Sequence, residues 1–372
     1  KLQSSPDRYE IEIEVENYGV GIGTNYNTHE ELSRPIRQTI MLILAGHQNT
    51  NFPVSYPEQS LILEDYMKLI WGPKYKEGQR IYPKNFMGPS SVALQVFNLS
   101  EENEDANMPN IRTGYTVTEK ADGERKLVLI SKDGRIYLID TNMKVQFTGS
   151  ITTNKSLYNS IVDGEHIMHD KDGNFINLYA AFDVYFINGK DIRTLGFMSV
   201  INDNPSDYRL PLLNDLFQQL KPKGVGGAEM TSPIRFEVKT FYTSTDTQSI
   251  FQACSYLMSR IEDGVFEYET DGLIFTPMNT GVGMDKINEK PVNTKRTWMR
   301  SFKWKPPEYN TVDFLLTFNK ENGQDETKTI FDKGAGDVEG ITQYKIATLR
   351  VGFDERVHGY LNSCQRILED DL

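Results

Sequence analysis

Apolar residues recur along the chain with two different periods, one typical of helices and one typical of strands. Helical spacing appears in four stretches, at 36–44, 61–71, 212–220 and 246–264. Glycine or proline ends the last three stretches, and we place the start of the last one at Asp246. The longest apolar run, Thr39–Ala45, has the length of a buried helix and is too short for a membrane span.

Strand-like patterns dominate the middle of the chain. Five segments are predicted as strands: Tyr115–Glu119, Arg125–Ser131, Arg135–Asp140, Ile161–His169 and Phe175–Ile187. Asp-Gly turns at 132–134 and 171–173 predict tight hairpins within this set. Strands joined by such turns, with irregularly spaced helices, indicate an α+β fold with antiparallel sheets and flanking helices. Residues 100–107 and 319–327 are predicted as polar loops, and strands again predominate after Val312, as in a small β-barrel.

Composition restricts the class of protein. The chain has 372 residues, 38% hydrophobic and 25% charged, which is typical of a soluble globular protein. The net charge of −12 argues against broad, charge-driven binding to duplex nucleic acid, but it permits an enzyme that holds one nucleotide and one RNA end. Two cysteines, Cys254 and Cys364, are too few for a disulfide framework or a zinc site and suit a reducing compartment. Because the first residue is Lys1, we expect a piece of a longer chain.

One short motif carries chemistry: Glu119-Lys120-Ala121-Asp122-Gly123-Glu124-Arg125. Alone, this motif is equally compatible with a surface turn between two strands. Four further segments follow it in order: Asp163-Gly164-Glu165, Phe182-Asp183, Asp271-Gly272-Leu273-Ile274-Phe275 and Lys303-Trp304-Lys305-Pro306. Each aspartate-glycine pair alone is more often a turn, and Phe182 alone is more often a core residue. The ordered set is far more specific than any member.

In this order, the segments resemble the successive motifs of the covalent nucleotidyltransferases, the superfamily of DNA ligases, RNA ligases and mRNA capping enzymes. The resemblance covers about 190 residues, from Lys120 to Pro306. It implies a nucleotidyltransferase domain followed by an oligonucleotide-binding (OB) barrel, here partial. It also implies that Lys120 attacks a nucleoside triphosphate and becomes covalently linked to the monophosphate.

The resemblance implies roles for the other motif residues. Catalysis falls to Lys120, Arg125, Lys303 and Lys305, whose cations would also offset charge on the triphosphate. The nucleotide would contact these residues together with Glu119, Glu165 and Phe182, with Phe182 stacking on the base and Glu165 touching the sugar or a metal. Asp271, with Glu165, would hold Mg²⁺ or Mn²⁺, hard cations that prefer oxygen ligands. On a strand, Lys303 and Lys305 share one side while Trp304 points toward the core.

Details of these motifs favour the capping branch, in which GTP is the donor and an RNA 5′-diphosphate end is the acceptor. Asp271–Phe275, Lys303–Pro306 and the upstream Gly88–Leu94 are similar to capping-enzyme segments. Two alternatives stay open: an ATP-dependent ligase-type adenylyltransferase, and a catalytically dead scaffold that holds RNA or a partner subunit.

The first residues alternate between acidic and apolar positions over 8–16, which predicts a strand with one acidic face. This pattern resembles a metal-binding strand of a tunnel-type RNA triphosphatase, with Glu12 and Glu14 as vestigial ligands; a solvated edge strand is the alternative. A tunnel needs a second acidic strand, and the sequence has none, so we expect this activity to be absent or inactive here.

We therefore divide the chain into 1–17, the last strand of a triphosphatase domain; 18–309, the nucleotidyltransferase domain; and 310–372, a truncated OB-fold domain. Leu349–Asp354 lacks the second arginine and the lysine of the family's final motif, so the isolated chain is expected to be slow or inactive in the first step. The resemblance to multidomain capping enzymes of large DNA viruses implies partner triphosphatase and methyltransferase domains, no membrane association, and a cytoplasmic location in a virus factory or virion.

Overall fold

The computed structural model describes residues 10–101, 109–201, 204–226, 230–286, 289–309, 314–333 and 339–350. The chain divides into two compact units, one spanning residues 1–305 and the other residues 306–372. Four α-helices occur in the described residues: α1 His29–Gln48, α2 Tyr56–Trp71, α3 Arg209–Leu220 and α4 Ile250–Glu262. None of these helices is long and apolar enough to cross a membrane.

The same residues contain nineteen strands. In chain order they are β1 Ser90–Ala93, β2 Tyr115–Ala121, β3 Glu124–Ile130, β4 Arg135–Asp140, β5 Val145–Ile151, β6 Ser160–His169, β7 Phe175–Ile187, β8 Lys190–Asp191, β9 Lys223–Gly224, β10 Arg235–Val238, β11 Tyr242–Thr243, β12 Thr270–Pro277, β13 Thr297–Trp304, β14 Leu315–Phe318, β15 Lys320–Glu321, β16 Gln324–Asp325, β17 Thr327–Lys333, β18 Glu339–Lys345 and β19 Ala347–Arg350.

The first unit contains two sheets. The small sheet has the strand order β1-β13-β12-β2-β11, and the large sheet has the order β10-β7-β6-β3-β4-β5-β9, with β8 paired to β7. All pairs are antiparallel except β1 with β13 and β10 with β7. The predicted α+β class with antiparallel sheets is confirmed, as are the hairpins β3–β4 and β6–β7.

Helices cover both faces of the large sheet because the apolar residues of its strands alternate in direction. Leu127 and Leu129 of β3 belong to a core cluster that includes Tyr66 of α2. Val128 of β3 belongs to a second cluster that includes Leu213 of α3. Helix α4 covers the small sheet through a third cluster containing its own Ile250 and Leu257 together with Val117, Phe275 and Phe302. The central strands are thereby held in a fixed register.

Several local predictions need correction. Helix α1 forms as predicted, but none of its residues is buried, and Ile40 is 42% exposed. Helix α4 begins after Ser249 rather than at Asp246, because Ser249 and Gln252 cap each other reciprocally. The predicted loop at 319–327 contains the hairpin β15–β16, since Asn322 and Gly323 both adopt the positive φ that a tight turn requires.

The acidic strand predicted at the start of the chain is not observed over residues 10–16, which have no strand partner and are exposed. A strand requires a neighbour to satisfy its backbone groups, and no described segment lies beside this one. Residues 8 and 9 lie outside the described residues, as do most of the acidic loop at 100–107 and residues 351–372, which include Asp354 and Cys364. In the second unit, β14–β19, β15–β16 and β17–β18 form three separate pairs, so the OB barrel stays a prediction.

Candidate active site

The turn at Asp122-Gly123 carries the chain from one sheet to the other. Lys120 lies near the end of β2 in the small sheet, and Arg125 lies near the start of β3 in the large sheet. The backbone N–H of Asp122 donates a hydrogen bond to the carbonyl of Glu269 at 2.9 Å, which fixes the turn. The two side chains therefore enter the space between the sheets from opposite walls.

That space is a cavity of about 280 Å³. Its lining combines five of the predicted site residues, Lys120, Arg125, Glu165, Phe182 and Lys303, with other polar and apolar residues. The lining residues are Pro89, Ser90, Ser91, Thr118, Lys120, Ala121, Arg125, Glu165, Phe182, Asp183, Tyr185, Lys239, Phe241, Ile274, Thr276, Trp298, Ser301 and Lys303.

Asp271 joins two of the motif lysines. Nζ of Lys120 donates a hydrogen bond to Oδ1 of Asp271 at 2.6 Å, and Nζ of Lys305 lies 2.6 Å from Oδ2 of the same carboxylate. Partial burial opposes the charge of Asp271, but the hydrogen bonds from the two lysines outweigh it and lower the pKa of the carboxyl. Although Asp271 does not line the cavity itself, it holds the amine of a residue that does.

Arg125 is held by one carboxylate and one backbone carbonyl. Its guanidinium donates to both oxygens of Asp163, at 3.1 Å and 2.5 Å, and to the carbonyl of Pro89 at 2.7 Å. Asp163 is completely buried and also accepts a hydrogen bond from the hydroxyl of Tyr185. Burial opposes the charge of Arg125, but attraction to Asp163 outweighs it and raises the pKa of the guanidinium. The cation is thus fixed in place and permanently charged.

Two aromatic rings lie close to the guanidinium of Arg125. Its guanidinium carbon lies 5.5 Å from the ring centre of Phe182 and 5.7 Å from that of Phe86. A β-carbon at Gly88 would lie 2.7 Å from Nη2 of Arg125, so this close packing requires glycine there. Phe182 faces the cavity, where its ring is available to a planar ligand.

Glu165 faces the same cavity from β6, and it has no hydrogen-bond or ion-pair partner among the described residues. Burial raises the pKa of its carboxyl to about 7, against the opposing attraction of Lys239, Arg125 and Lys120. An unpaired carboxyl that gains and loses its proton near neutrality is a candidate ligand for a cation or for a sugar hydroxyl.

The two lysines after β12 take different positions. Lys303, on β13, lines the cavity and has no carboxylate within ion-pair distance among the described residues, whereas Lys305 follows the end of the strand and contacts Asp271. Trp304 packs against the core cluster of α4 and the small sheet, as its alternation with Lys303 predicts. The structure therefore brings Lys120, Arg125, Glu165, Phe182 and Lys303 to one cavity, with Asp271 and Lys305 beside it.

Comparison with known proteins identifies the family of this domain. The sequence model of the family described as "mRNA capping enzyme, catalytic domain" matches residues 84–307, which is more than half of the chain and includes every residue of the cavity. The chain belongs to this family. The matched range begins before Gly88 and ends just after Lys305, so both cavity walls lie within it.

Among similar proteins, a probable mRNA-capping enzyme of Acanthamoeba polyphaga mimivirus is 26% identical over 96% of this chain and 30% of its own length. An mRNA-capping enzyme of Danio rerio is 26% identical over 57% of this chain and 32% of its own. An mRNA-capping enzyme subunit alpha of Yarrowia lipolytica is 25% identical over 65% of this chain and 58% of its own. The chain thus spans about a third to just over half of these relatives.

The lining of the cavity differs from the sequence motifs at two residues of this capping-enzyme domain. Glu119 does not line the cavity; its carboxylate is buried, accepts hydrogen bonds from Thr118 and Tyr268, and lies 3.1 Å from Nζ of Lys239. Lys239 lines the cavity, but no motif signals it. A glutamate in an otherwise buried strand requires a cationic partner, so the sequence could have indicated a buried cation but not which one.

The proposed metal ligands have the right chemistry for a small hard cation. Mg²⁺ takes one or two protein carboxylates and completes its shell with water and substrate phosphates. Asp271 and Glu165 provide two such carboxylates, and no group of three or more His, Cys, Asp or Glu side chains able to hold a metal occurs among the described residues. Glu12 and Glu14 are exposed and join no such group within that same part of the chain.

Proposed function

We propose that this chain is an mRNA guanylyltransferase. The neutral amine of Lys120 attacks the α-phosphate of GTP and releases one proton to solvent as the nitrogen–phosphorus bond forms, while the bond from the α-phosphorus to the bridging oxygen breaks and pyrophosphate leaves. A terminal oxygen of an RNA 5′-diphosphate end then attacks the phosphorus of the lysyl-GMP. The nitrogen–phosphorus bond breaks, the lysine is restored, and GMP is joined to the RNA. The observation that carries the proposal is the convergence of Lys120 with Arg125, Glu165, Phe182 and Lys303 on one cavity.

Each surrounding group has a specific task in this proposal. Phe182 stacks on the guanine, and two cations, Lys303 and the fixed Arg125, contact the phosphates or sugar. Thr118 and Lys239 also line the cavity, and both bind the buried Glu119, which holds them in place beside the nucleotide. Asp271 and Glu165 would hold Mg²⁺ or Mn²⁺, which would neutralise charge on the triphosphate oxygens. Lys305 holds Asp271 in the orientation that also positions Lys120.

Intact-mass spectrometry after incubation with GTP or ATP plus Mg²⁺ tests the reaction directly. We expect a mass gain of one GMP from GTP alone, absent in Lys120→Ala and retained in Lys132→Ala, which removes an exposed lysine that pairs with Asp65. A gain from ATP instead would make the chain a ligase-type adenylyltransferase. No gain from either nucleotide, although GTP raises the melting temperature, would favour a catalytically dead scaffold.

A further inference from the structure

One segment of the chain has the opposite charge from the rest. The whole sequence contains 40 Lys and Arg against 52 Asp and Glu, whereas residues 286–305 contain seven basic residues and one acidic residue, Glu289. The basic residues are Lys286, Lys290, Lys295, Arg296, Arg300, Lys303 and Lys305. Two of these, Lys303 and Lys305, belong to the candidate active site. The other five precede these two lysines along the chain.

Backbone contacts place the middle of this segment at the edge of the cavity. The N–H of Lys295 donates to the carbonyl of Lys84 at 2.9 Å, and the N–H of Ser90 donates to the carbonyl of Arg296 at 2.8 Å. Ser90 lines the cavity, as does Trp298. Since a strand rises about 3.3 Å per residue, Lys295 lies roughly 10 Å along the chain from Trp298. Lys84 and Lys295 therefore lie side by side near the cavity wall.

The two lysines are free to bind an anion. Both are exposed, and neither has a carboxylate within ion-pair distance in the described part of the chain. Arg296 differs, because its guanidinium is bound to Asp285 at 2.7 Å and to Glu289 at 3.1 Å. In addition, Nζ of Lys84 lies 5.6 Å from the ring centre of Tyr82, which is 47% exposed. We call Tyr82, Lys84 and Lys295 the lysine rim.

We propose that the lysine rim binds the first nucleotides of single-stranded acceptor RNA and leads its 5′ end to the cavity. Unpaired cations beside an exposed aromatic ring are the combination that holds single-stranded nucleic acid, through phosphate contacts and base stacking. The rim is small and the chain as a whole is acidic, so it does not offer the broad cationic surface that a duplex requires. This inference rests on the proposed function, since it assigns the binding surface of the second substrate.

The test separates the two halves of the reaction. Lys84→Glu/Lys295→Glu is compared with Lys155→Glu/Lys190→Glu, which makes the same change of charge at two exposed lysines away from the cavity. Lysyl-GMP formation is measured by intact mass, and binding of a short, labelled, single-stranded 5′-diphosphate RNA is measured by fluorescence anisotropy at several salt concentrations. Because binding is measured directly, the rim is tested even if no lysyl-GMP forms, and that failure would count against the proposed function alone.

The rim variant is expected to form lysyl-GMP at the wild-type rate but to bind the RNA roughly tenfold or more weakly at low salt. The slope of log affinity against log salt should decrease by about 1.4, from two lost phosphate contacts at about 0.7 each. Tyr82→Ala should weaken RNA binding without changing that slope. Equal RNA affinity and equal salt slope in the rim and control variants would overturn the inference. The inference would also fail if the rim variant lost as much affinity for a duplex RNA, measured in the same way, as for the single strand.

Discussion

Nζ of Lys120 lies 2.6 Å from Oδ1 of Asp271, although 151 positions separate the two residues. They meet because β2 and β12 are paired, and Asp271 lies where the register of this pair shifts between Thr270 and Leu273. The second oxygen of Asp271 contacts Lys305, so one carboxylate sets the position of two cations. A local irregularity in a sheet thus organises the nucleophile of the proposed reaction.

Replacing Asp271 with asparagine should damage catalysis far more than folding. The variant keeps the shape of the side chain but loses the charge that holds Lys120 and Lys305. We expect lysyl-GMP formation to slow by about 100-fold or more, within the range found when one charged or polar group of an active site is removed. The free energy of unfolding should change by only about 1 kcal/mol, because these ion pairs are partly exposed.

Single-turnover labelling and urea denaturation measure these two effects. Asp65→Asn, which breaks an ion pair with the exposed Lys132, is the matched control and should leave both quantities near wild type. A normal labelling rate in Asp271→Asn would exclude the role that we assign to this carboxylate.

The Arg125–Asp163 pair should be essential for stability as well as for catalysis. Arg125→Ala leaves the charge of Asp163 buried with Tyr185 as its one remaining side-chain partner among the described residues, which should lower the free energy of unfolding by about 3–5 kcal/mol. Arg125→Met/Asp163→Leu removes both charges and should therefore be more stable than Arg125→Ala. The free energies come from urea denaturation, and a double variant less stable than the single one would contradict this view of the pair.

The neighbouring residues Glu165 and His166 should give pH effects of opposite sign. Burial raises the pKa of Glu165 from 4.5 to about 7, so the folded state binds more protons than the unfolded state between these values. Its contribution to the free energy of unfolding therefore falls as the pH rises through this window. Burial lowers the pKa of His166 from 6.5 to about 4, so the unfolded state binds more protons and the contribution of His166 rises with pH.

In the wild-type protein these two contributions nearly cancel between about pH 4.5 and 6.5. Glu165→Gln should therefore show a free energy of unfolding that rises with pH over this range relative to wild type, and His166→Gln one that falls. Urea denaturation at a series of pH values measures the slopes. Slopes of the same sign in the two variants would show that one of the assigned protonation states is wrong.

Gly272 should be sensitive to the addition of a single carbon atom. Its φ is +143°, and a β-carbon there would lie 2.0 Å from the carbonyl oxygen of Trp304 and 3.0 Å from Cα of Lys305. Gly272→Ala must therefore displace the end of β13 near Lys303 and Lys305. We expect roughly 2–5 kcal/mol of destabilisation, with loss of lysyl-GMP formation. Gly173→Ala is the control, since it also has positive φ but open space around it, and it should cost about 1 kcal/mol.

Elements with local causes could be predicted from the amino-acid sequence. The Asp-Gly turns predict the β3–β4 and β6–β7 hairpins, and Gly72-Pro73 ends α2 at Trp71 as predicted. The start of α4 differs from the prediction, because Ser249 rather than Asp246 caps this helix. The ordered motifs from Lys120 to Pro306 also identified the family, since residue type and order are properties of the sequence alone.

Which of these residues meet depends on the tertiary fold. It directed Glu119 into a buried contact with Lys239 and away from the cavity, and it left α1 and residues 10–16 exposed. It also assigned Arg125 to Asp163 and Lys120 to Asp271. Backbone preferences extend over a few neighbouring residues, whereas these pairings depend on the register of strands distant in sequence and on the burial that makes an unpaired charge costly.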